Sequence, residues 1–159
     1  MTSGPGYVAP AFDWAELTKI AIHEASHVAA ARAVGCTGLS LHVGQRRGAV
    51  IIADPPGDAR ALALVGVAGI VGEMLHEDPD VTAAAVVRAV ESGDERMSRE
   101  DRVLAPAVDL QLAEVALQVL RQAWPSIREE ARAAALAAVR ESQQQAPAAR
   151  RPGVVYLGD

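Results

Sequence analysis

The stretch KIAIHEASHVAAARAVG, residues 19–35, carries two histidines four positions apart, with a glutamate directly after the first. On a helix, residues four apart lie on one face, so His23 and His27 can each direct a ring nitrogen at the same metal ion. Glu24 lies about 100° around the helix from His23, within reach of a water molecule that the metal activates. This H-E-x-x-H pattern is typical of zinc enzymes in which two neutral imidazoles bind the metal and the glutamate acts as general base.

The surrounding residues predict that this stretch is helical and partly buried. Asp13 can cap the start of a helix and Gly35 can end it, which gives a predicted helix over about 14–34. Apolar neighbours such as Ile22 and Val28 would partly bury the two imidazoles, which would then lose hydration without compensation unless they bind a ligand. A surface helix with a chance H-E-x-x-H is the alternative interpretation.

The rest of the chain predicts a mostly α-helical fold with a small β hairpin or sheet. Half of the residues are hydrophobic but only 3% are aromatic, so the core has to be built from Ala, Val, Leu and Ile. Pro106 predicts a kink or restart in the fourth helix, and Trp124-Pro125 predicts a break before the last one. The β-prone runs lie at 39–45 and 48–53, and further helices are predicted at about 59–76, at 81–92, from the capping residue Ser98, at 108–123 and at 126–145.

Length and composition limit the domain organisation and the partners. The 159 residues suit a single domain, which we place at 13–145 between a flexible lead-in, 1–12, and a flexible tail, 146–159. The net charge of −5 gives no electrostatic reason to expect nucleic acid. No secretory signal or membrane segment is predicted, because the apolar run 61–75 is short and glycine-rich and reads better as a buried helix. The single cysteine, Cys36, suits a reducing compartment, so a cytoplasmic protein is expected.

A catalytic zinc site needs a third protein ligand beside the histidine pair. A third histidine six residues after His27 is absent, because Ala33 stands there, and this excludes the metzincin pattern. His42, in a predicted strand, is expected to be an ordinary half-buried residue. Each remaining candidate also has an ordinary structural role, such as a helix cap for Asp101 or an exposed helix-terminal charge for Glu73. The candidates are Glu73, His76, Asp94, Glu95, Glu100 and Asp101.

The order of motifs along the chain resembles that of a known family. IHEASHVAAARAVG, residues 22–35, is similar to the zinc-binding helix in the peptidase domain of the FtsH-type ATP-dependent zinc proteases and its stand-alone relatives. The likeness extends over about residues 15–125: two short strands, LSLHVG and GAVIIA, precede a helix rich in small residues, LVGVAGIVGEML. SGDERMSREDRVLAPAV then resembles the family's stretch with an aspartate at the start of a helix. In the family this aspartate is the third zinc ligand, and the matching residue here is Asp101.

Several features depart from the family's pattern. Ser26 stands where the family usually has glycine, and Gly72-Glu73 stands where the family carries an Ala-Glu pair. The residues before Asp101, MSRE, lack the family's run of small residues. No Walker-type loop occurs in the 159 residues, so this chain is expected to act without ATP hydrolysis.

The motif and the resemblance together predict a zinc-dependent metallopeptidase on an HExxH zinc-peptidase-like helical domain. His23, His27 and Asp101 would bind Zn²⁺. Glu24 would activate the attacking water. The expected substrates are short peptides or unfolded protein segments, which the strand edge around 48–52 would bind in extended form. The resemblance to a ring-forming family leaves the oligomeric state undecided between a monomer and a homo-oligomer. The alternatives are a non-catalytic peptide- or protein-binding module on the same scaffold, and a helical interaction protein without a metal.

Overall fold

The computed structural model describes residues 12–144, so the predicted tail, 146–159, and all but the last residue of the predicted lead-in, 1–12, lie outside the described residues. The described part is mostly helical and has one two-stranded antiparallel sheet, as predicted. Its elements are α1 (Trp14–Ala33), β1 (Leu39–Val43), β2 (Gly48–Ile52), α2 (Ala59–Glu77), α3 (Ala83–Glu91), α4 (Arg99–Leu104) and α5 (Leu110–Gln144).

Short polar side chains set where the first two helices begin. Asp13 accepts a hydrogen bond from the backbone N–H of Glu16 (3.0 Å), and Asp58 accepts one from that of Ala61 (2.8 Å). Gly35 follows the end of α1 with φ +86°, a conformation that L side chains rarely adopt. The predicted bounds of α1 and α2 are therefore confirmed to within one residue.

The core lies between α1, α2 and α5, which all pack against one another. It consists of aliphatic side chains, as the composition predicted, and no aromatic residue is buried in the range 12–144. Large buried side chains such as Leu17, Ile70, Leu120 and Ile127 alternate with many buried alanines. Because alanine adds little bulk, the helices can approach closely, and this brings chemical groups from different helices together.

The β hairpin packs over one side of the helical core. β1 and β2 pair in register, with Leu39 opposite Ile52 and Val43 opposite Gly48. Both strands contact α1, and β1 also contacts α5. The hairpin is thereby held beside the helix that carries the histidine pair.

Helix α2 is the most apolar helix of the fold. By length and composition alone it could cross a membrane, but 67% of its apolar window is buried inside the protein. It packs against α1, α4 and α5. The prediction of a buried helix at 61–75 is confirmed, whereas a cytoplasmic location remains a prediction.

The predicted break at Trp124-Pro125 is wrong. α5 runs without interruption from Leu110 to Gln144, with Pro125 inside it. Proline removes the N–H that would bond to the carbonyl of Arg121, at a cost of about 3 kcal/mol. Buried residues on both sides of this point, among them Leu120 and Ile127, hold the two halves on the same core and outweigh that cost. The predicted restart after Pro106 is confirmed, since α4 ends at Leu104 and α5 begins at Leu110.

Ser26 of α1 and Gly72 of α2 face each other where the two helices cross. Ser26 is fully buried and donates a hydrogen bond from its hydroxyl to the carbonyl of Ile22 (2.7 Å). A Cβ added at Gly72 would overlap this hydroxyl and lie 2.7 Å from the Ser26 Cβ. Ser26 and Gly72 are therefore in contact, and the serine needs the glycine opposite it.

Gly72→Ala is expected to destabilise the protein by about 1–3 kcal/mol because the added methyl overpacks the helix crossing. The loss should appear although alanine alone favours a helix over glycine by about 1 kcal/mol. Chemical denaturation of Gly72→Ala, Ser26→Gly and the double variant measures the coupling between the two sites. The double variant should recover most of the loss; effects that simply add would contradict the contact. Gly57→Ala, which places a Cβ in open space, is the control.

Candidate metal centre

Three side chains from two helices bring their donor atoms to one point. The Nε2 atoms of His23 and His27 lie 3.0 Å apart. One carboxylate oxygen of Asp101 lies 3.3 Å from His23 Nε2, and the other lies 3.2 Å from His27 Nε2. All the donor atoms of this group fall within 4.8 Å of one another, a spacing that allows them to hold one metal ion. His27 and Asp101 are buried and His23 is nearly so.

Asp101 serves the helix cap and the histidine pair with the same carboxylate. It is the third residue of α4, and its Oδ2 accepts a hydrogen bond from the backbone N–H of Ser98 (3.1 Å). In return the Ser98 hydroxyl accepts one from the backbone N–H of Asp101 (3.1 Å), which completes a capping box. The cap and the metal ligand were alternative explanations of Asp101 in the sequence. The structure shows that Asp101 completes the cap and also belongs to a group that could hold a metal ion, so one explanation does not exclude the other.

The second ring nitrogen of each histidine is held by another group. His23 donates from Nδ1 to the carboxylate of Glu73 (2.7 Å), and His27 donates from Nδ1 to the carbonyl of Val65 (2.7 Å). These bonds place the proton on Nδ1 and leave Nε2 as the donor atom for a metal. Carboxylates and carbonyls in this outer position orient metal-binding histidines in proteins. Glu73 therefore orients His23 and is not itself in the donor group.

Glu24 lies beside the donor group on the same helix. Its side chain is 9% exposed and lines the same cleft as the two histidines and Asp101. It packs closely against Gly48 at the start of β2, where an added Cβ would overlap the Glu24 side chain and lie 2.8 Å from its carboxylate. No ion pair among residues 12–144 involves Glu24.

The electrostatic environment favours positive charge at the donor group. In the protein alone, burial lowers the pKa of His23, but its hydrogen bonds with Asp101 and Glu73 outweigh burial and raise the pKa to about 9. Burial raises the pKa of Asp101, yet its bonds with His23 and His27 outweigh that effect and hold the pKa well below the usual range of an aspartate. Burial raises the pKa of Glu24, against the opposing effect of the two histidines. The carboxylates that stabilise a proton on His23 also favour a divalent cation at this point.

Helix α2 approaches the donor group through a glycine. A Cβ at Gly69 would overlap the ring of His23 and lie 2.7 Å from His27 Nε2. One turn earlier, a Cβ at Gly66 would lie 2.8 Å from the carbonyl of Asp101. The absence of side chains at these positions leaves room for the histidines of α1 and the carboxylate of α4 to meet beside α2.

The other candidates from the sequence lie outside the donor group. Asp94 pairs with Arg96 (2.7 Å). The hydrogen bond with Arg96 lowers the pKa of Asp94, and burial of the carboxylate offsets only part of that decrease. His76 is exposed near the end of α2. The expectation that His42 is half-buried is wrong: it is exposed, because alternate residues of β1 point away from the core, and its Nε2 lies 3.0 Å from the Ser40 hydroxyl. The last two candidates, Glu95 and Glu100, are exposed at the rim of the cleft.

The sequence reasoning missed the groups that support the donor atoms. Val65 contributes only a backbone carbonyl, which leaves no trace in the residue type. Gly66, Gly69 and Gly72 are spaced three residues apart in α2. This spacing places them towards one face of the helix, and it could have predicted that other elements approach that face closely.

Comparison with known proteins adds no assignment. Neither a family model nor a curated protein matches this sequence. The resemblance to the FtsH-type peptidase domain therefore stays a prediction. The chemistry of the site has to be argued from its own donor atoms, their burial and their hydrogen bonds.

The donor set suits a transition metal better than Ca²⁺ or Mg²⁺. Imidazole nitrogens favour zinc, iron, copper or nickel, whereas Ca²⁺ and Mg²⁺ take oxygen ligands. Two histidines and one carboxylate are three protein ligands, the number found in catalytic zinc sites, where a further position stays open. The site fits a metal of this kind.

Gly69→Ala is expected to weaken metal binding by at least about tenfold, because the added methyl would occupy the space of the two imidazoles and displace them. Competition with a chromogenic zinc chelator measures the affinity. Gly57→Ala, the same change in open space, should bind metal like the wild type. Equal affinities in the two variants would show that α2 does not approach the histidines as described.

Proposed function

We propose that this chain is a zinc-dependent peptidase that hydrolyses peptide bonds in short or unfolded polypeptides. The observation that carries the proposal is the convergence of His23, His27 and Asp101 on one point, with Glu24 beside it in the same cleft. The sequence resemblance to the FtsH-type peptidase domain supports the same function. No Walker-type loop is present in the 159 residues, so the proposed hydrolysis does not depend on ATP in this chain.

The residues of the site divide into those that bind, those that orient and one that moves a proton. The two Nε2 atoms and the carboxylate of Asp101 bind the metal, while Glu73 and the Val65 carbonyl keep the rings in place. Zinc bound there supplies a Lewis acid that polarises the peptide carbonyl and makes water a better nucleophile. Glu24 accepts the proton of the attacking water on its carboxylate and delivers it to the leaving amine.

A substrate-binding edge runs along the cleft. β2 lines this cleft of about 1030 Å³ together with the histidines and Asp101. Within the hairpin, Gly44 donates to the carbonyl of Arg47 (2.8 Å) and Ala53 donates to that of Gly38 (3.3 Å). Those two bonds fix the alternation of the antiparallel ladder.

The alternation decides which backbone groups of β2 are free. Ala49 and Ile51 exchange hydrogen bonds with β1, and the N–H and C=O groups of Gly48, Val50 and Ile52 point to the outer edge. These three residues all line the cleft, as Ala49 between them also does. We infer that an extended peptide pairs with this edge and is thereby held beside the donor group.

Glu24→Gln is expected to retain bound metal and to lose hydrolysis by at least about 100-fold, because the amide keeps the size of the side chain but cannot accept the proton. The measurement is turnover of a labelled unstructured polypeptide by zinc-loaded protein, with metal content determined on the same sample. Glu129→Gln, the same change at an exposed residue of α5 that does not line the cleft, is the matched control and should keep activity.

Full hydrolysis by Glu24→Gln with metal bound would contradict the proposed mechanism. A wild type that holds zinc and binds an extended peptide without cleaving it would instead establish the alternative, a non-catalytic binding module on this scaffold.

A further inference from the structure

The rim of the cleft carries more negative than positive charge among the side chains that form no ion pair within residues 12–144. Glu16, Glu95 and Glu100 are exposed there and belong to this group. Of the three cations that line the cleft, Lys19 and Arg96 pair with carboxylates of the protein, and only Arg47 is in no ion pair within the same range. An extended ligand with positive charge next to a β-prone run fits this combination of acidic rim and free strand edge.

The end of α5 lies near one end of that edge. Glu141, in the last turn of α5, lines a cavity of about 360 Å³ together with Arg47, Gly48 and Ala49. α5 ends three residues later, at Gln144. The described part of α5 therefore ends within one turn of a cavity that the start of β2 also lines.

The sequence after Gln144 contains positive charge next to a β-prone run, as expected for a ligand of the cleft. Residues 150–157 read RRPGVVYL: two arginines, a Pro-Gly pair and a run of β-branched, aromatic and aliphatic residues. The six residues from Gln144 to Arg150 can span at most about 20 Å, and the five residues of β2 extend over about 17 Å. The linker is thus at least as long as the strand edge.

We propose that residues 150–157 of this chain bind in the cleft, with Val154–Leu157 paired to the outer edge of β2 and Arg150-Arg151 at the acidic rim. The segment then occupies the place of an external peptide and lowers its access to the donor group. Only this inhibitory consequence rests on the proposed peptidase function, because the docking itself needs no hydrolysis.

Hydrogen exchange in the full-length Glu24→Gln protein tests the docking without cleavage. The amides of Val50 and Ile52 have no partner in the hairpin ladder. The bound segment is therefore the expected cause of any slowing of their hydrogen exchange. A short tether gives an effective concentration of about 1 mM, which would slow their exchange about tenfold if the separate peptide binds with a Kd of about 0.1 mM.

Val155→Pro removes an N–H from the docking run and should abolish this protection. Ala148→Pro, the same kind of change between α5 and the segment, should leave it intact. Equal protection in both variants, or no protection in the parent protein, would overturn the proposal. Protection that grows with protein concentration would overturn it too, since the edge would then bind a second copy. None of these results depends on activity, so a failed docking and a failed peptidase assay are distinguishable.

Discussion

The carboxylate of Asp101 is the group on which the candidate site depends. It closes the capping box that starts α4, and it also lies within 3.3 Å of both histidine Nε2 atoms. A buried carboxylate without partners is costly, so the cap and the imidazoles together make its burial tolerable. Because the cap bond fixes the side chain at the start of a helix, the carboxylate points at the histidines without relying on a flexible loop.

The glycines of α2 leave room for side chains of α1 and for α4 to approach this helix closely. Gly69 admits the two imidazoles, Gly66 admits the backbone of α4, and Gly72 admits the Ser26 hydroxyl. Glycine in a helix costs about 1 kcal/mol relative to alanine at each position. The fold tolerates that cost along one face of α2, its most apolar helix. Beside this face, side chains from α1 and α4 form the donor group.

Local patterns predicted much of the fold. The 3.6-residue spacing placed His23 and His27 on one face of α1, and capping residues gave the helix bounds, because both depend only on residues close in sequence. The break at Pro125 was predicted from a local rule and was wrong, since the packing of distant residues on the core decided it. Similarly, the exposure of His42 depends on which face of the hairpin meets α1.

The site could be predicted only in part. Asp101 came from the order of motifs, and the structure brings it to the histidines. The bond between Glu73 and His23 joins residues 50 positions apart and follows from the way α1 crosses α2, which no spacing in the sequence reveals. The Val65 carbonyl was out of reach for the same reason, and the identity of the metal rests on donor chemistry alone.

Metal content tests the central claim most directly. Purified wild type, Asp101→Ala, Ser98→Ala and Glu73→Gln would be offered zinc, dialysed and analysed for metals. We predict about one zinc per chain in the wild type, as expected for a single three-ligand site, and loss of the metal from Asp101→Ala. Ser98→Ala removes the hydroxyl of the capping box but keeps the backbone N–H that bonds to Asp101, so it should keep the zinc. Glu73→Gln should keep it with lower affinity. Zinc retained by Asp101→Ala but lost from Glu73→Gln, or a wild type that binds no zinc, would contradict the site described here.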